Sequence, residues 1–172
     1  TLTQDALLFE YRKIVEEISK LLPNGSVSIE VYADKTTTAD QMMLQAREMY
    51  SWIPNARIKY PTNKEGIKAA IKSLEQGMRV NMTLMFSQEQ AAAIYAATKE
   101  FKREMVVISH FIGRLDDRGE AGMDLIANII KMYKYGDGHV LVLTASVRSL
   151  DHMFKALQLG SDIITAPYKV LK

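Results

Sequence analysis

Ala56-Arg57-Ile58-Lys59-Tyr60, then a helical stretch opened by Thr62 and Glu65, then Arg79-Val80-Asn81-Met82-Thr83-Leu84: this succession of strand, helix and strand decides the fold. The outer runs are short and rich in apolar and β-branched residues, which suits a buried strand. Between them, a hydroxyl at Thr62 and a carboxylate three residues later predict a capping box at a helix start. The same unit recurs along the chain. Strands are predicted at Val27–Tyr32, Ala56–Tyr60, Arg79–Leu84, Met105–Phe111, His139–Ala145 and Asp162–Ala166. The intervening stretches carry apolar residues at helical spacing, such as Met42, Met43, Ala46, Met49 and Tyr50, or Leu125, Ile126, Ile129, Ile130 and Tyr133. Two further capping boxes are predicted, Thr38 with Gln41 and Ser87 with Gln90. A helix from Leu7 to Leu22 precedes the first strand and stops at Pro23-Asn24-Gly25.

Alternation of strand and helix with no hairpin dipeptide predicts a parallel sheet, because each helix carries the chain back to begin the next strand. No strand is followed by the glycine-rich loop of an open dinucleotide-binding sheet or by a P-loop, which favours a closed (β/α)8 (TIM) barrel. Closure takes about eight strands, so the chain is read as a single, incomplete α/β barrel domain, residues 1–172, of about six βα units. Two strands are then missing from it, the helix that opens the chain looks like the partner of a strand lying upstream, and a chain that opens on Thr1 is read as having lost something in front.

The composition narrows the function. Of 172 residues 48% are hydrophobic and 24% charged, which excludes a disordered chain. The formal net charge of +2 is spread along the sequence, so no nucleic-acid footprint is expected. With no Cys and three histidines at no ligand-like spacing, neither disulfides nor a metal site are expected, and a cytoplasmic location is the simplest reading. No signal peptide or membrane span is legible. The ten methionines read as core filler.

In a parallel barrel the strand C-termini form the active face, and polar residues stand at nearly every one. They are Glu30, Lys59, Asn81 with Thr83, Ser109 with Arg114, and Ser146 with Arg148. Lys59 stands out. Burial in a strand is predicted to strip the water from its ammonium and favour the neutral amine that attacks carbonyls, unless the side chain snorkels to solvent. Glu30 reads either as a partner or as a solvated carboxylate, and Asn81 and Thr83 as ligands or as loop anchors. Arg114 reads as an anion ligand or as a salt-bridge partner of Asp116 and Asp117. Arg148, Ser146 and Arg114 together suit a phosphate dianion. His110 and His152 show no partners in sequence.

These motifs carry a resemblance. Val27-Ser28-Ile29-Glu30-Val31, Ile58-Lys59-Tyr60-Pro61-Thr62, Val80-Asn81-Met82-Thr83-Leu84 through Ser87, Ile108-Ser109-His110-Phe111 through Asp117, and Thr144-Ala145-Ser146-Val147-Arg148 resemble, in order and spacing, the transaldolase family. The resemblance implies a Schiff-base aldol transfer of a dihydroxyacetone unit between sugar phosphates in the pentose phosphate pathway, with no metal and no cofactor. It implies that Lys59 forms the imine, that Glu30 and Thr83 hold a catalytic water, and that Asn81 and Ser109 bind hydroxyls of the dihydroxyacetone unit. Arg114, Ser146 and Arg148 would bind phosphate.

Fructose-6-phosphate aldolases resemble the family closely but usually carry Gln and Tyr where this chain has Glu30 and Phe111, so Phe111 joins the implied substrate-binding set. A homo-oligomer, a decamer in the small members, is implied as well. The family's first-strand Asp, the Thr-Asn-Pro run of its second strand and its closing C-terminal helix have no counterpart in these residues, so the first two strands and that helix are read as missing. Without the Asp, the resemblance implies that cleavage is slow or absent for the stretch as it stands. Tyr60 and His110 stand where the family more often has Ile or Val, and Pro. An aldolase-like lyase and a non-catalytic sugar-phosphate-binding fragment are the alternatives.

Overall fold

The computed structural model describes residues 4–172, with side chains from residue 7 onward. Thr1, the start read as truncated, lies outside them. Helix and strand alternate, with two helices in succession between the fourth and fifth strands: α1 (Gln4–Leu21), β1 (Val27–Glu30), α2 (Ala39–Tyr50), β2 (Ala56–Pro61), α3 (Lys64–Glu75), β3 (Val80–Met85), α4 (Gln88–Ala97), β4 (Val106–Phe111), α5 (Ile112–Asp116), α6 (Gly122–Tyr133), β5 (Val140–Ala145), α7 (Leu150–Leu159), β6 (Ile163–Ile164) and a closing 3-10 turn (Tyr168–Val170). The class is α/β with parallel strands, as the alternation predicts. By packing the chain divides into two compact units. The first runs through Tyr60 and takes in Lys64–Asn81, and the second comprises Pro61–Asn63 and Met82–Lys172.

In the first unit the strand order is β1-β2-β3, the last represented by its opening residues. β1 and β2 run parallel with Val27 opposite Ala56 and Glu30 opposite Lys59. Alternation along β1 buries Val27 and Ile29 and turns Ser28 and Glu30 to the other face. Helices α2 and α3 pack on each other, and Met42, Met43, Ala46, Ala69, Ala70 and Leu74 are buried. The C-terminal turn of α1 is held by Asn55, whose amide donates to the carbonyls of Leu22 and Gly25.

In the second unit the order is β3-β4-β5-β6. β4 and β5 pair in parallel from Val106 opposite Val140 to Phe111 opposite Ala145. One face carries Val107, Leu143 and Ala145, with Phe111, Leu141 and Ile163 against them. A second cluster gathers Ile112, Ile126, Val147 and Val170.

The predicted strands are all present, with two trimmed for identifiable reasons. β1 stops before Tyr32 because the Gln45 amide accepts from the Tyr32 N–H and donates to its carbonyl, replacing a strand neighbour. β6 shrinks to two residues because the Asp162 carboxylate turns back to accept from the Val142 N–H and from Arg103. Two of the capping boxes differ from expectation. Thr38 with Gln41 is a full box. Ser87 caps α4, but the Gln90 side chain reaches the Phe86 N–H instead of Ser87's own. Thr62 does not cap α3: the helix begins at Lys64, so Thr62 stands one residue too early, and its hydroxyl bonds the Thr83 carbonyl at 2.8 Å. Replacing Thr38 with Ala should cost about 1 kcal/mol, read as a lowered urea midpoint with an unchanged slope. Among the described residues no helix is long and apolar enough to cross a membrane.

Candidate active site

The parallel register of β1 and β2 brings two strand-end side chains together. Glu30 stands opposite Lys59, and the Lys59 Nζ lies 2.9 Å from the Glu30 Oε2. The lysine side chain is 23% exposed and the glutamate 46%. The lysine side chain is therefore largely but not fully buried and has a counter-charge: of the readings open for Glu30, the geometry gives the partner, because the open face of β1 lets the carboxylate reach the amine. Glu30 is held from behind as well, since its backbone N–H donates to the Tyr11 hydroxyl at 2.9 Å. Burial first, and the nearby Glu30 charge after it, push the Tyr11 phenol above its usual range. A cavity of about 630 Å3 opens beside Glu30, lined by Leu8, Tyr11, Val31, Tyr32 and Met49 among others.

Asn81 is buried in the same unit and donates from Nδ2 to the Ser28 hydroxyl at 3.1 Å. Arg57 shares the Lys59 face of β2 by the period-2 rule. It is buried and donates to the Val80 carbonyl. Neither Ser28 nor Arg57 stands out in the sequence as a site residue, because strand pairing alone brings them next to those that do.

The second unit holds the remaining candidates. Thr83 is fully buried, and its Oγ1 has no hydrogen-bond partner. Its backbone is pinned by Thr62, whose N–H and hydroxyl both donate to the Thr83 carbonyl. The next residue, Leu84, has a φ of 57°, a left-handed conformation unusual for a branched side chain and the kind of strain found at functional sites. Ser109 is buried on the same face of β4 as Val107 and Phe111. Phe111 meets Phe86 edge to face with ring centres 6.0 Å apart.

The predicted anion set is brought together only in part. Ser146, with a φ of 60°, turns the chain out of β5, and a cleft of about 470 Å3 there is lined by Ser146, Arg148, Thr165, Pro167 and Lys169 among others. Arg114 is exposed on the short helix α5 and is not among the residues that line this cleft. Nor does it pair with the aspartates beside it. Asp117 takes the Arg148 guanidinium at 2.6 Å, and Asp116 lies 3.4 Å from His152, which has a partner after all. Arg148 also donates to the Gly113 carbonyl. A side chain at Gly113 would fall within 2.6 Å of the Arg148 Nε and 2.3 Å of the Ser146 carbonyl, so only glycine admits this approach.

His110 sits on the opposite face of β4 from Ser109. It is fully buried, neither ring nitrogen has a partner, and burial lowers its imidazole to about 4. Among the described residues no group of three or more His, Asp or Glu could hold a metal ion.

Comparison with known proteins decides the family. The model of the transaldolase/fructose-6-phosphate aldolase family matches residues 5–172. The chain belongs to that family. Within the transaldolase/fructose-6-phosphate aldolase family, it is similar to a "Probable transaldolase" of Dehalococcoides mccartyi, 40% identical over 171 residues, which cover 99% of this chain and 75% of the relative. A "Probable transaldolase" of a Roseiflexus species is 38% identical over 95% of this chain and 70% of its own length. One from Brucella ovis is 39% identical over 99% and 76%. Family membership and these names mark the chain as being of the transaldolase type, a class of transferase.

Proposed function

We propose that the protein is a Schiff-base transaldolase that moves a dihydroxyacetone unit from a ketose phosphate, such as fructose 6-phosphate or sedoheptulose 7-phosphate, to an aldose phosphate. The observation that carries this reading is the 2.9 Å pairing of the Lys59 amine with the Glu30 carboxylate at the ends of adjacent parallel strands. Within that pair a proton can pass from ammonium to carboxylate, leaving the amine lone pair free to attack the ketose C2 carbonyl. The carbinolamine loses its hydroxyl as water when Glu30 returns a proton, directly or through a water held on the Thr83 hydroxyl. The iminium then accepts the electrons of the breaking C3–C4 bond, the C4 hydroxyl proton passes to a base, and the first aldehyde leaves. The enamine attacks the carbonyl carbon of the second aldehyde as the base returns its proton to the carbonyl oxygen, and hydrolysis of the new imine releases product and restores Lys59.

The remaining roles follow the resemblance. Asn81 and Ser109 hold hydroxyls of the three-carbon unit, Phe111 borders it, and Arg114, Ser146 and Arg148 hold phosphate. We place this chemistry in an eight-stranded barrel working in the cytoplasm as a homo-oligomer, within the pentose phosphate pathway. Glu30 and Phe111 favour transfer over a simple aldolase, which usually carries Gln and Tyr at those positions.

Product analysis separates these activities. Incubated with fructose 6-phosphate and erythrose 4-phosphate, the full-length protein should form sedoheptulose 7-phosphate and glyceraldehyde 3-phosphate. Release of free dihydroxyacetone at the same rate with or without the acceptor would establish the lyase instead. Calorimetric binding of a sugar phosphate with no turnover would establish a binding protein.

A further inference from the structure

We propose that Lys169 is a ligand of the phosphoryl group in the cleft after β5, and that Asp117 competes with that group for Arg148. The inference rests on the phosphate reading of Ser146 and Arg148 given above and adds two residues to it.

The placement of Lys169 follows from the core. Val147 and Val170 are both buried in one cluster with Ile112 and Ile126. Anchoring Val147 fixes its neighbours Ser146 and Arg148, and anchoring Val170 fixes the 3-10 turn that carries Lys169. The two segments thereby share one cleft, with Thr165 and Pro167 completing its wall. No motif of the sequence points to Lys169, because it lies beyond the last strand.

Charge decides what the cleft can hold. The Arg148 guanidinium is already matched by the Asp117 carboxylate at 2.6 Å, so this pair contributes little net charge. Asp116 is turned to His152. Among the described residues Lys169 has no ion-pair or hydrogen-bond partner, and it is the cation left to meet a dianion. A phosphoryl group entering the cleft would gain the Lys169 ammonium outright and would compete with Asp117 for the Arg148 guanidinium, whose Nη2 the carboxylate holds. That exchange is easy, because both members of the pair are about half exposed and an ion pair in water is weak. Asp117 and the Gly113 carbonyl together hold the guanidinium in place.

The test titrates inorganic phosphate and fructose 6-phosphate against the full-length protein, with phosphorus NMR as readout. The variants are Lys169→Met, Lys169→Arg, Asp117→Asn and Arg148→Met. Lys169→Met should weaken both ligands roughly tenfold, the loss of one charge-assisted hydrogen bond. Lys169→Arg should restore binding to within a few fold. Asp117→Asn should tighten both by roughly three- to fivefold, the strength of the pair it removes. If Arg148→Met weakens binding while Lys169→Met and Asp117→Asn leave it within twofold, the inference falls and the phosphate site stands. If neither Arg148→Met nor Lys169→Met changes binding, or the parent protein binds neither ligand, the phosphate reading itself falls. Effects confined to inorganic phosphate would overturn the assignment to a sugar phosphate.

Discussion

Lys59→Met is expected to lower transfer activity by at least about 10^4-fold while the protein stays folded. The reaction as proposed passes through a covalent bond to the Lys59 nitrogen, so its loss removes the pathway and not merely a binding contact. No neighbour can take its place: Arg57, on the same face of β2, carries a guanidinium that stays protonated and does not form imines with ketoses. The fold should tolerate the change, because the Lys59–Glu30 pair is partly in water and contributes at most about 1 kcal/mol. Glu30, half exposed, can be rehydrated. A coupled assay beside a urea titration checks both halves of this expectation. Activity above about a hundredth of the parent rate, in a variant with an unchanged midpoint, contradicts the nucleophile assignment.

Acidification from pH 7 to pH 5 should destabilise the protein by about 2 kcal/mol through His110 alone. In the unfolded chain this imidazole takes up its proton near its ordinary value of 6.5, whereas in the folded state burial holds it neutral down to about 4. Above about 6.5 it is neutral in both states and contributes no pH dependence. Between the two values only the unfolded state binds the proton, so stability falls with pH across that window and levels off below it. His110→Leu should remove this slope, leaving urea stability nearly flat from pH 7 to pH 5. Carboxylates held low in the folded state, such as Asp34 at about 2 through the Thr36 and Thr37 hydrogen bonds, lose their contribution only as pH falls below about 4. The two sources are therefore separable. Parallel pH profiles for the parent and His110→Leu would contradict the burial argument.

What was legible in the sequence is the part that depends on local pattern. Six strands and the helices between them follow from β-branched runs and 3.6-residue spacing, and the Thr38–Gln41 cap from chemistry within four residues. What was not legible depends on partners distant in the chain. The end of β1 is set by the Gln45 amide, and Thr62 loses its capping role to a carbonyl on β3. The left-handed turns at Leu84 and Ser146 fall on residues without the glycine or asparagine that would announce them.

The site shows the same division. Glu30 and Lys59 are recognisable by type and strand position, yet only the β1–β2 register makes them a pair. Lys169 carries no signal in the sequence because it lies outside every strand end, and Asp117 reads there as a partner of its neighbour Arg114 until Arg148 is seen against it. Arg114 is recognisable by its motif, whereas its place, exposed on α5 and not among the residues that line the cleft beside Ser146 and Arg148, follows only from the fold.

The imine itself is open to direct capture. Full-length protein incubated with fructose 6-phosphate and reduced with borohydride should carry a stable adduct on the peptide that contains Lys59, and the Lys59→Met variant should carry none. An adduct on another lysine, or no adduct under conditions where sugar transfer proceeds, would contradict the account.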